Sequence, residues 1–82
     1  MKILFFASLR EQLATAELEL AAQNQATTAR EVLHRLQEQG ELWQRTLDAS
    51  RLRVAINQEL AQLDDPVSEH DELAFFPPVT GG

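Results

Sequence analysis

The 82 residues include no cysteine. That excludes disulfides, a thiolate metal site and a thiol nucleophile, so sulfur handled by this chain would have to ride on something other than a side chain. Basic residues are scarce as well: 7 Lys and Arg stand against 13 Asp and Glu, for a formal net charge of −6. This sign repels phosphate backbones and anionic lipid, so the expected partners are neither nucleic acid nor membrane, and a basic protein surface is favoured. Long apolar runs are missing. The longest, Ile3 to Ala7, falls far short of the roughly 20 residues that span a bilayer, and nothing has the pattern of a signal peptide. A soluble, cytoplasmic protein is expected. Catalytic sets are also absent: Ser8, Ser50 and Ser68 form no nucleophile–base arrangement. His34 and His70 stand far apart without ligand-spaced neighbours, so no metal site is expected.

What is present is a clear alternation of elements. A chain of this length makes one domain, residues 1–82, that buries only about 60 to 65% of its unfolded surface and has little room for a deep pocket. Ile3-Leu4-Phe5-Phe6-Ala7 is a run of strand formers, the pattern of a central strand covered on both faces. Glu17-Leu18-Glu19-Leu20 alternates as a half-buried second strand does, with Ser8 to Thr15 as a long connection. Thr28-Ala29-Arg30-Glu31 has capping-box spacing, and Val32, Leu33 and Leu36 share a helical face up to Gly40, so the main helix is expected over Thr28 to Gln39. A short helical piece around Leu42, Trp43 and Leu47 precedes a third strand, Leu52 to Ile56. Asn57-Gln58-Glu59 and Asp64-Asp65-Pro66 are turn signals around a short strand near Leu60 to Leu63. Glu72 to Phe76 is the last strand.

The order ββαββ is that of a single mixed sheet holding one helix on one face, an α+β, ubiquitin-like β-grasp layout. A split βαβ arrangement would need a second full-length helix, and Leu42 to Leu47 is too short for one.

The chain then runs through Pro77-Pro78-Val79-Thr80 into Gly81-Gly82. Proline fixes φ and lacks an N–H, so the di-proline favours extended polyproline II geometry and projects residues 77–82 from the body as a tail. Glycines lack Cβ, so the tip suits a narrow channel and leaves the Gly82 carbonyl carbon unhindered. The α-carboxylate of Gly82 is therefore the candidate working group. Parity adds a docking surface. Side chains alternate across a strand, so Phe75 and Phe76 face opposite sides. Leu73 and Phe75 belong to the helix-covered face, and Phe76, with Leu60, to an exposed apolar patch beside the tail.

With this layout and tail, the chain resembles the small, sulfur-carrying subunits of molybdopterin synthase, ubiquitin-like proteins of molybdenum-cofactor biosynthesis. The resemblance spans the whole chain. It rests on Leu4-Phe5-Phe6-Ala7 with Arg10-Glu11, on Ala55-Ile56-Asn57-Gln58, and above all on the stretch from Asp71 to Gly82. Two positions depart from the family pattern: His70 and Ala14 each stand where glycine is common. The resemblance implies that an E1-like adenylating enzyme spends ATP to activate the Gly82 carboxylate, that sulfur displaces AMP to leave a thiocarboxylate, and that this anion donates sulfur to a cyclic pyranopterin precursor. It implies no permanently bound cofactor and no catalytic side chain here, although the chain would count as the sulfur-donor subunit of an enzyme. The partner would be the large subunit, in a heterotetramer, with Pro77, Pro78, Val79, Thr80 and Gly81 threading into it. Arg10 matches the family and joins Phe76 and Leu60 as a partner-binding candidate, although a surface ion pair would also account for it. Related carriers feeding thiazole or tRNA thiolation, a lysine-conjugated ubiquitin-like protein, and a plain binding module are the alternatives. Asp64-Asp65 and Glu69 to Glu72 read as solvated turn charges, and Trp43 as a core ring rather than an interface anchor.

Overall fold

The computed structural model describes residues 1–20 and 27–78. Strands β1 (Lys2–Phe5), β2 (Glu17–Glu19), β7 (Glu72–Phe76), β4 (Arg53–Ile56) and β5 (Glu59–Ala61) form one sheet in the order β2-β1-β7-β4-β5. β1 and β7 are parallel and the other neighbours antiparallel, so the sheet is mixed, as the α+β layout requires. Two further strands, β3 (Thr27–Thr28) and β6 (Pro66–Val67), pair with each other outside it. Helices α1 (Ala7–Leu13), α2 (Ala29–Gln37) and α3 (Glu41–Thr46) pack together on one face.

The main helix forms for the reasons its sequence gives. The Thr28 hydroxyl accepts from the Glu31 N–H at 3.2 Å, while the Glu31 carboxylate takes the Thr27 hydroxyl, so the capping interaction is shifted by one residue from the reciprocal box. Ala29, Val32, Leu33 and Leu36 are buried against the sheet. Gly40 does not end this helix, which stops at Gln37; it starts α3 instead, at φ 153°, where a side chain would be strained although there is open space for one. The short pair β3–β6 closes over the helix start, with Ala29 N–H donating to the Asp65 carbonyl and Arg30 N–H to that of Leu63.

The core joins both layers. Ile3, Phe5, Val54, Leu73 and Phe75 from the sheet meet Leu9, Leu13, Val32, Leu33, Leu36 and Leu47 from the helical side. Phe5 stacks beside Phe75 at 6.3 Å between ring centroids. Trp43 is partly buried with its ring edge-on to Phe5 at 5.6 Å, a core role as expected.

Three expectations are corrected. β7, not β1, is the central strand, because β4 pairs with β7's other edge. Nor is β1 covered on both faces: Ile3 and Phe5 are buried, whereas Leu4 is half-exposed and Phe6 is 45% exposed. The uninterrupted apolar run hides an alternation between a core face and a face without helices. Finally, the connection after β1 holds a helix, α1. Leu9 and Leu13, four residues apart, are its buried residues, a spacing that places them on one helical side.

Candidate functional site

Parallel pairing of β1 with β7 sets Phe5 opposite Phe75, and Phe6, the extended residue that follows β1, lines the same hollow as Phe76. The Phe6 N–H donates to the Phe75 carbonyl at 3.2 Å. A sharp turn follows at Ala7, φ 53°, and sends the chain over the helix side, leaving Phe6 behind on the opposite face. Pairing in register aligns Leu4, Ala74, Ala55 and Leu60 across four strands. Side chains directly opposite each other share a face, so this row and the Phe6–Phe76 pair make one apolar surface. Its centre is a shallow hollow of about 500 Å³ lined by Leu4, Phe6, Ala55, Ala74 and Phe76, with Gln58 and Glu72 at the polar end.

Phe76 is half-exposed here, whereas Leu73 and Phe75 are 0% exposed on the other face; the parity assignment is therefore what the chain adopts. Leu60 is 75% exposed and flanks the hollow from the edge strand β5. Leu4, Phe6, Ala55 and Ala74 were not anticipated. The signal for Leu4 and Phe6 was available: alternation separates Phe5 from Phe6 just as it separates Phe75 from Phe76. Arg10 is exposed on α1, on the helix side rather than in the hollow, and makes no ion pair among the described residues.

At the tail root, Pro77 is half-buried and Pro78 exposed. Both line a broad groove of about 840 Å³ between α1 and α3, together with Ser8, Leu9, Arg45 and Arg51. Val79, Thr80, Gly81 and Gly82, the remaining tail candidates, lie outside the described residues.

Hydrogen-bonded carboxylates fix the loops around this frame. At the far end of β7, the Asn57 amide donates to an Asp71 oxygen at 3.0 Å and its carbonyl accepts from the Glu72 N–H at 3.0 Å; the other Asp71 oxygen accepts from the Ser68 N–H at 2.8 Å. The Asn57 amide first, and the Ser68 N–H next, hold the Asp71 carboxyl below its ordinary pKa. The Asp48 carboxyl is lowered in the same way by the Ser50 hydroxyl and N–H, with Arg51 adding a smaller attraction. Asp64 is lowered by its bond to the Arg30 guanidinium, 2.8 Å away. These are structural turn and surface contacts. His70, on an exposed turn, lies 3.4 Å from Glu69, and among the described residues no cluster of His, Asp and Glu has the makings of a metal site.

The two positions that depart from the glycine pattern now separate. His70 is not among the residues with positive φ, so its turn does not need glycine. Ala14 has φ 53° as the C-cap of α1, with its N–H bonded back to the Arg10 and Glu11 carbonyls, a left-handed position that glycine would occupy without strain.

Comparison with known proteins follows this geometry closely. A family model described as the ThiS family matches residues 3–82. The chain belongs to the ThiS family. The match runs through the terminal glycines and so takes in the tail residues outside the described set. Two relatives named "Molybdopterin synthase sulfur carrier subunit" are similar over 82 residues, 100% of this chain and 99% of theirs: one from Escherichia coli (strain K12) at 40% identity and one from Haemophilus influenzae at 42%. Among solved structures, SAMP1 from Haloferax volcanii is similar at TM-score 0.75 and 26% identity, covering 100% of this chain and 98% of that one. The ThiS-family fold is thus shared along the full length, and the sheet, helices and tail root described above are its frame. No described helix is long and apolar enough to cross a membrane.

Proposed function

We propose that this chain is the sulfur-carrier subunit of a molybdopterin synthase, and that the carboxylate of Gly82 is the group it carries into the active sites of its partners. The name borne by the two relatives supports the acceptor; the chemistry is supported by the residues. A carboxylate is a poor electrophile. In the proposed cycle a Gly82 carboxylate oxygen attacks the α-phosphorus of ATP on an E1-like adenylating enzyme, with pyrophosphate leaving. Hydrosulfide, or sulfur released at that oxidation level by a donor, then attacks the acyl carbon of the adenylate; AMP leaves and the proton is lost, giving a thiocarboxylate. The absence of cysteine from the sequence fits a carrier whose sulfur sits on the main-chain terminus. A thiocarboxylate is anionic at neutral pH and needs no general base from this chain. In the large subunit its sulfur attacks a carbon of the cyclic pyranopterin precursor and displaces an oxygen substituent; water then cleaves the acyl–sulfur bond of the resulting thioester, which leaves the sulfur on the pterin and frees the Gly82 carboxylate, so two loaded carriers supply the two sulfurs of one dithiolene.

One observation carries the partner assignment. The apolar hollow formed by Leu4, Phe6, Ala74 and Phe76 sits at the end of β7 where the chain leaves for Gly81-Gly82. A partner resting on that hollow holds the tail at its own entrance, with Leu60 as a further anchor and Arg10 outside the contact. Aromatic side chains clustered in a hollow are the groups that dominate binding energy at such interfaces.

The deciding experiment is intact-mass spectrometry after incubation with the adenylating enzyme, ATP and a sulfur donor. The expected result is a mass gain equal to exchanging one oxygen for one sulfur, localised to Gly82 and dependent on ATP. An unchanged mass with a competent enzyme present refutes the carrier reading. Deleting Gly81 and Gly82 is expected to abolish function with the fold intact; unchanged function in that variant would favour a plain binding module.

A further inference from the structure

We propose that Arg53 is a partner-recognition residue: its guanidinium, beside the apolar hollow at the tail end of the sheet, takes a carboxylate of the large subunit and fixes how that subunit seats. This rests on the carrier reading above and deepens it, adding one charged, directional contact to an apolar surface.

Placement comes first. Arg53 pairs with Phe76 across β4 and β7, and Ala55 pairs with Ala74 further along the same face. Directly opposed side chains share a face and have Cβ atoms about 5 Å apart. The burial of β4 alternates accordingly, with Val54 in the core and Arg53 exposed. A protein that covers Phe76 therefore covers Arg53 as well.

Charge comes second. The other charged residues that strand register puts on this face stand away from the tail root: Lys2 lies opposite Glu19 and Glu72, and Glu17 opposite Leu4. They answer one another within the chain, with Lys2 Nζ 3.3 Å from a Glu17 carboxylate oxygen. Arg53 has no such counterion. Its opposite on β7 is an aromatic ring, and it forms no ion pair among the described residues. A chain of net charge −6 thus presents a cation where its docking face meets its tail. Covering that cation strips its water, which is strongly unfavourable unless a counter-charge takes the water's place. The planar guanidinium offers paired N–H donors, and the group that matches them is a carboxylate.

The kind of contact explains what Arg53 adds. Apolar burial is non-directional, so the hollow holds a partner without fixing its register along the strands. A slip by one strand residue is about 3.3 Å, whereas a misplacement of about 1 Å is enough to cost a hundredfold in rate. A bidentate contact beside Phe76 removes that freedom, and it rejects a surface that brings a cation to the same place.

The test compares Arg53→Glu with Arg53→Ala and Arg53→Lys. Affinity for the large subunit is measured by calorimetry at low and high salt, the unfolding midpoint by denaturation, and loading of the wild-type chain by intact mass. The expected result is a loss of at least tenfold in affinity for Arg53→Glu at low salt, a difference that shrinks as salt rises. Arg53→Lys should stay within threefold of the wild type and Arg53→Ala should fall between the two, with unfolding midpoints unchanged because the side chain is exposed. Unchanged affinity in Arg53→Glu, a loss that salt leaves untouched, or a lysine variant as weak as the glutamate one overturns the assignment. A wild-type chain that is neither loaded nor bound by the large subunit refutes the carrier reading itself; a wild type that is loaded and bound, with Arg53→Glu binding equally well, removes Arg53 alone.

Discussion

The two faces of the central sheet are built from neighbouring residues of the same strands and do opposite work. On one face Ile3, Phe5, Leu73 and Phe75 are covered by three helices and are at most 1% exposed. On the other, Leu4, Phe6, Ala74 and Phe76 form an apolar surface that no described helix covers. The residues are chemically alike, so hydrophobicity alone does not tell a core from an uncovered apolar surface. What separates them is strand parity together with the side on which the chain places its helices. The consequence is energetic: the same phenylalanine-to-alanine change should break folding on one face and binding on the other.

The largest expected effect is Phe75→Ala. Phe75 is fully buried and packs against Phe5, so truncation should cost about 3 to 5 kcal/mol, a large share of a small domain's stability. Chemical denaturation checks it, and a loss under about 1 kcal/mol would mean that the core is not where these contacts put it. Phe76→Ala, one residue on, should cost only about 1 kcal/mol of stability, in line with its half-exposed ring. Its large-subunit affinity should drop at least tenfold, about 1.4 kcal/mol. Equal destabilisation by the two variants would erase the distinction between the faces. Leu60→Ala should follow Phe76 in direction with a smaller loss, since its side chain sits on the rim.

Much of this arrangement was legible in the sequence. Glu17 to Glu19, Val32 to Leu36, Arg53 to Ile56 and Glu72 to Phe76 carry the periods of their elements, and the Phe75–Phe76 pair announces a two-faced strand. Ile3 to Ala7 misled because five apolar residues in a row look the same whether or not helices cover the second face; only the side on which the folded chain places its helices decides it. The α1 helix was hidden by its length, since seven residues give barely two apolar positions of helical spacing. The groove could not have been read at all. It joins Ser8, Arg45, Arg51 and Pro77, which only the folded chain brings together.

A moderate effect tests the end of β7 opposite the tail. Asn57 has φ 52° and Gln58 φ 69°, the pair of left-handed residues that a two-residue hairpin of type I′ needs. Asn57→Gly keeps that conformation but loses the bonds to Asp71 and Glu72, about 1 kcal/mol, and adds about 0.4 to 1 kcal/mol through the freedom glycine gives the unfolded chain. Acid behaviour supplies a second readout. The folded-state pKa of Asp71 is depressed, so its contribution is present above the unfolded carboxylate value of about 3.9 and is lost as pH falls through the lower folded value. In Asn57→Gly the largest cause of that depression is gone. The Asp71 carboxyl titration, followed by carbon NMR, should move up toward the ordinary range; an unmoved titration would assign the depression to Ser68 instead.

The smallest effect is a gain, and it lies on the covered side. Ala14 closes α1 at φ 53° and ψ 35°, where the Cβ of an L-residue costs about 1 kcal/mol or slightly more. Glycine removes that cost but adds freedom to the unfolded chain, which returns about 0.4 to 1 kcal/mol in the other direction. The difference leaves Ala14→Gly more stable by a few tenths of a kcal/mol. Leu9 and Leu13 stay buried in either case, because the backbone already has the shape that glycine prefers, and the apolar hollow lies on the other face. Thermal unfolding should therefore show a small rise in Tm, while large-subunit affinity stays unchanged. A fall in Tm would mean that the α1 cap relaxes in solution and that the left-handed turn is not what positions Leu13 in the core.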